Sequence, residues 1–125
     1  MSTARNVVAA VLEAVLPDTW TVVTHPRPVP SPNVAMIAPG SPYVTRDDTA
    51  YCAHRHGVEV GLYFAANDPD HDLDTLDSVA VDVVLPALEV VPALEGVELQ
   101  IPRVVEVQNA RLLLALFTMS VHVEP

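Results

Sequence analysis

Residues 58–92 read VEVGLYFAANDPDHDLDTLDSVAVDVVLPALEVVP. In the first seven, Val58, Val60, Leu62 and Phe64 alternate with Glu59, Gly61 and Tyr63. That period of two is the mark of a strand packed on one face. Asn67-Asp68-Pro69 is turn chemistry. The apolar spacing then changes to three and four, which sets Leu73, Leu76, Val79, Ala80, Val83, Val84, Ala87 and Leu88 along one helical stripe. Asp70 or Asp72 is placed to cap this helix, where acids suit the positive end of the helix dipole. Pro86 should kink or shorten it near its end. A one-faced strand followed by a one-striped helix predicts a helix layer on a sheet.

Towards the N-terminus, Ala4, Val7, Val8, Val11, Leu12, Val15 and Leu16 predict a helix started by Ser2 or Thr3 and stopped by Pro17. Its polar face is only Arg5, Asn6 and Glu13, so a sheet or another subunit must cover it. Trp20 to Thr24 has strand composition, and prolines 26, 28, 30 and 32 after it predict an extended spacer. Asn33 to Ala38 is a short strand ended by Pro39-Gly40. From Gly40 to about Ala50 runs a polar arm with Tyr43, Arg46, Asp47 and Asp48. So long an excursion in a small domain is commonly functional or mobile.

Towards the C-terminus, Val97, Leu99 and Ile101 alternate with Glu98 and Gln100, and Pro102 marks an edge or bulge before a continuation through Val107. Asn109 is a turn residue. Arg111 to Val123 is apolar on both faces over Leu112 to Phe117 and then alternates, which predicts the central strand. The expected order is helix, two strands, arm, strand, helix, strand, strand. It predicts one small α+β domain over residues 1–125: a mostly antiparallel or mixed sheet, two helices on one face, and an extended arm within the segment 26–57.

The chain has 125 residues, enough for one core. Half are hydrophobic and only 5% aromatic, so that core is aliphatic. Sixteen acids against six arginines, with no lysine, give a net charge of -10. This lacks the basic footprint that neutralises nucleic-acid phosphates, and an anionic membrane would repel it. The single cysteine, Cys52, cannot form an internal disulfide, which favours a reducing compartment. No secretory leader or membrane span is expected, because the apolar stretches are interrupted or too short.

Cys52, His54 and His56 are spaced two apart, which in an extended segment places all three on one face. A tetrahedral zinc site needs a fourth ligand, and strand neighbours seldom supply one. Asp68, Asp70 and Asp72 imitate the start of a calcium loop, but Leu73 stands where a glycine is required and Val79 where the bidentate acid belongs. Four scattered glycines build no phosphate loop, and none of the five serines sits in a nucleophile elbow. No enzyme, cofactor or resident metal is expected.

The order of elements, the Pro-Tyr43-Val arm, the Cys52 segment leading into Val58 to Phe64, the acidic turn into the Leu73 to Leu88 helix, and the closing strand Leu112 to Val123 resemble one family. It is the small tail terminator, or tail completion, proteins of long-tailed bacteriophages, and the resemblance covers almost the whole chain. It implies a structural virion protein, assembled in the host cytoplasm as a homo-hexameric ring on the tail tube. Such a ring halts tube polymerisation and meets the head connector. The implied partners are further copies, the tube protein and the connector or stopper protein, with DNA passing through unbound. On that reading Tyr43, Val44, Arg46, Tyr51 and Arg55 meet a neighbouring subunit or partner. Asp68, Asp70, Asp72 and Asp74 form an acidic patch facing the channel, where it would repel DNA. The alternatives are a connector or stopper subunit of the phage neck, and a small intracellular metal- or ligand-binding domain using Cys52, His54 and His56.

Overall fold

The computed structural model describes residues 3–24, 31–46 and 54–123. Its elements in chain order are α1 (Thr3–Val15), β1 (Thr21–Val23), β2 (Val34–Arg46), β3 (His54–Ala65), α2 (Pro69–Leu76), a π-helical stretch (Asp77–Val84), α3 (Leu85–Glu89), β4 (Leu94–Leu99), β5 (Arg103–Val107) and β6 (Ala110–Val123). The sheet runs β1-β2-β3-β6-β4, with β5 also paired to β6. Every pairing is antiparallel except β1 with β2. The chain is thus a small α+β domain with a mixed sheet and its helices on one face. No helix among the described residues is long and apolar enough to cross a membrane.

Register explains how one face is filled. Val60 pairs with Ile37 on β2 and Phe117 on β6, and Leu62 pairs with Ala35 and Ala115, so all six project to the same side. All are fully buried, together with Ala4, Val8 and Leu12 from α1 and Leu76, Ala80, Val84 and Leu88 from the second helical segment. Ala4, Val8, Leu12 and Leu16 of the wide apolar face of α1 are therefore covered within the chain, while Val7, Val11 and Val15 are only partly buried. Trp20 closes one end, packing edge-on against Phe64 with ring centroids 5.0 Å apart.

The second helix departs from the expected stripe. Its buried residues recur every four positions, while Leu73 and Val83 remain exposed. In an α-helix at ~100° per residue, steps of four drift round the axis by about 40° each. The wider turn over Asp77–Val84 absorbs that drift, and its end is marked by Leu85 N–H donating to the Ala80 carbonyl, five residues back. The same widening precedes Pro86 and relieves the clash a proline ring has with the carbonyl four residues earlier. Pro86 neither ends nor shortens the helix, which continues to Glu89.

Three strand boundaries also differ from expectation. β2 does not stop at Pro39-Gly40 but continues to Arg46, and β3 starts at His54 instead of Val58. Between the pairs Pro39–Val58 and Val44–His56, β2 advances five residues while β3 advances two, so β2 carries three extra residues. Pro39 is tolerated because β1 pairs only with residues 34–36 of β2, leaving the outer side of position 39 without a ladder. Towards the C-terminus, the single expected strand is two. β4 begins at Leu94, and Gly96 at φ +62° gives it one residue more than β6 between Glu95 and Glu98. Ile101 sits in the break before Pro102 and is 90% exposed, not inward-facing. Gln108 and Asn109, both at positive φ, close β5 onto β6 as a two-residue type I′ turn.

Candidate assembly surface

The polar arm is in large part a β-hairpin. Val44, Thr45 and Arg46 pair with His56, Arg55 and His54, and the sequence between Arg46 and His54 lies outside the described residues. Gly40 makes this geometry possible. A Cβ there would stand 2.8 Å from the Val58 nitrogen and 2.9 Å from the Gly57 carbonyl carbon, so only glycine lets the two backbones approach. The three extra residues of β2 then bring Tyr43 over the hairpin base, its ring edge-on to His56 at 6.5 Å between centroids. Arg5 of α1 donates a long hydrogen bond of 3.5 Å to the Tyr43 hydroxyl. Tyr43 is nonetheless 52% exposed and Val44 43%.

Of the residues expected to meet a neighbour, Tyr43 and Val44 are thus brought together on an exposed surface. Arg46 holds the last position of β2, and Tyr51 lies outside the described residues. Arg55 is partly committed within the chain: its Nε lies 3.2 Å from Glu95 Oε2, tying β3 to β4 across β6. Both partners remain well exposed, where such a pair contributes about 0–1 kcal/mol.

The expected acidic patch separates into two roles. Asp72 is only 8% exposed, and its Oδ2 accepts from the backbone N–H groups of Asn67 at 2.7 Å and Asp68 at 2.9 Å. It is the residue that caps α2, reaching back over the first turn as an acid in a capping box does. Asp68, Asp70 and Asp74 are exposed, as is Asp77. His54 and His56 share a face as expected, Cys52 lies outside the described residues, and no group of three or more His, Cys, Asp or Glu side chains among the described residues could hold a metal.

Sequence reasoning missed the other end of the sheet. Where α2 begins beside β5 and β6, a cavity of about 330 Å³ is lined by Ala66, Asn67, Asp72, Leu73, Pro102, Arg103, Val104, Arg111 and Leu113. Leu73 is 45% exposed and Val104 50%, and the exposed Ile101 precedes the lining residue Pro102 in the chain. Arg103 and Arg111 form no hydrogen bond or ion pair among the described residues, although Glu106 stands directly across from Arg111 in the ladder. The only signal in the sequence was that two of the chain's six arginines bracket this hairpin.

The two surfaces lie at opposite ends of the same strands. Val44 is level with His56 and the cavity residue Leu113 is level with Phe64. Eight strand residues separate those levels, about 26 Å. No protein-family model matches the chain, and no curated protein is significantly similar to it in sequence.

Proposed function

We propose that this protein is a ring-forming structural subunit of a long-tailed bacteriophage, a tail terminator that caps the tail tube, stops its growth and joins it to the head connector. The observation that carries this reading is the pair of unlike, apolar-centred surfaces: Tyr43 and Val44 at one end, and Leu73, Ile101 and Val104 at the other. Identical surfaces meeting face to face give dimers. Two different surfaces meeting head to tail give rings when the rotation closes. The sequence resemblance supplies the setting, and the net charge of -10 suits a subunit beside a channel through which DNA must slide without sticking.

The reading is tested by light scattering and negative-stain microscopy of the purified chain, alone and with tail tube protein. A six-fold ring that caps short tubes is the expected result. A species that stays monomeric at high concentration in both conditions removes the proposal's main support. A ring that ignores tubes and binds portal-side components instead would reassign the chain to the neck connector.

A further inference from the structure

We infer that the cavity bounded by Leu73, Pro102, Val104, Arg103 and Arg111 is the seat for the β2–β3 arm of a second copy of this chain. The inference rests on the ring reading above and specifies its subunit contact.

Three observations favour this occupant. The first is reach. A subunit's own arm points away from its own cavity: the described part of the hairpin ends at Arg46 and His54, ten strand residues from the level of the cavity, or about 33 Å. Seven residues tied at both ends to that level can reach at most about half their extended length, about 12 Å. Only another copy can bring an arm there. The second is chemistry. The joining sequence begins Asp47-Asp48, and the cavity presents two arginines that have no partner among the described residues. Asp72 also lines the cavity but makes no ion pair with either arginine, its Oδ2 accepting instead from two backbone N–H groups of the α2 start. Glu106 opposes only Arg111, which leaves Arg103 as the stronger anchor. The third is the apolar match. Tyr43 and Val44 at the arm's base are exposed, as are Leu73, Ile101 and Val104 beside the cavity. An apolar centre with a charged rim on both sides is the anatomy of a specific protein interface.

The contact places the acids of α2 beside the subunit boundary. Asp70 and Asp77 stand three residues before and four after Leu73 and share its helix face, so they border the neighbouring arm instead of the channel.

The test is sedimentation of three preparations: the wild-type chain, an arm variant Asp47→Arg/Asp48→Arg, and a cavity variant Arg103→Glu/Arg111→Glu, each checked for native circular dichroism. Each variant alone should associate at least tenfold more weakly than wild type. Mixed one to one they should recover an oligomer, because each arm then finds a cavity of opposite charge. Recovery on mixing cannot arise from variants that merely fold badly. Neutral variants, Asp47→Asn/Asp48→Asn and Arg103→Gln/Arg111→Gln, should show intermediate weakening and serve if either reversal unfolds the chain. Wild-type association retained by both variants, or loss in each without recovery on mixing, overturns the seat while leaving the ring reading standing. If the cavity instead takes a segment of the tube protein, the cavity variant alone loses tube binding while self-association is unchanged. A wild-type chain that never associates overturns both.

Discussion

Two glycines show how the same residue type serves different physical needs. Gly40 has ordinary backbone geometry but no room, since a methyl group there would meet backbone atoms of β3 at 2.8 Å, and backbone cannot rotate aside. Gly96 has open space around it but a φ of +62°, which L side chains resist. Gly40→Ala should therefore cost about 1–3 kcal/mol by overpacking, and Gly96→Ala about 1 kcal/mol from conformation alone. Gly96→Asn should recover part of its loss, because asparagine tolerates the left-handed region, whereas Gly40→Asn should be worse than Gly40→Ala. Urea midpoints of the four variants check both the ranking and its reversal with asparagine. Asp72 gives a third expectation at this scale. Asp72→Ala leaves the Asn67 and Asp68 N–H groups without their acceptor and should destabilise by about 0.5–2 kcal/mol. Asp70→Ala, two residues away and exposed, should change stability by no more than about 0.5 kcal/mol.

At the scale of elements, position along the second helix decides cost more than residue type. Leu73 and Leu88 belong to the same predicted stripe, yet Leu88 is fully buried under the sheet and Leu73 is half-exposed beside the cavity. Leu88→Ala should cost about 2–5 kcal/mol, while Leu73→Ala should leave the unfolding midpoint nearly unchanged and weaken self-association instead. Equal thermal losses for the two would contradict the packing described. The comparison also shows what the sequence could disclose. β3 and β6 were legible because their apolar patterns are long and a one-residue slip would bury the wrong side chains. The length of β2 was not, because Pro39-Gly40 reads locally as a stop, and Gly40 has its meaning only against Gly57, brought there by the hairpin. The widening of the helix was invisible for a related reason: apolar residues at steps of three and four read as an α-stripe until the sheet selects which of them to bury. Tyr43 and Val44 could be assigned to an exposed arm from the sequence. The cavity could not, since Leu73 and Arg111 are 38 positions apart and meet only in the folded chain.

For the whole molecule, charge and contact pull against each other, and magnitudes decide which is seen. A 125-residue domain has a radius of gyration of about 14 Å, so neighbouring centres in the proposed ring would lie about 35 Å apart. Two bodies of net charge -10 at that distance repel by about 12 kcal/mol in unscreened water. With a Debye length of about 30 Å at 0.01 M salt this falls to about 4 kcal/mol, and with about 8 Å at 0.15 M to about 0.2 kcal/mol. Solvent-exposed arginine–aspartate pairs at the cavity rim contribute about 0–1 kcal/mol each and are screened by the same salt. Repulsion therefore dominates the salt dependence. Self-association should tighten between 0.01 and 0.15 M salt, the reverse of what an interface held chiefly by ion pairs would do, and should then level off as the apolar contact at Tyr43, Val44, Leu73 and Val104 carries the remainder. The neutral cavity variant Arg103→Gln/Arg111→Gln makes each subunit more acidic by two charges, so its association should respond to salt more steeply than that of wild type. Sedimentation of both proteins across this salt range provides the measurement, and a wild-type assembly that loosens steadily as salt rises would show that ion pairs, not apolar surface, hold the proposed contact.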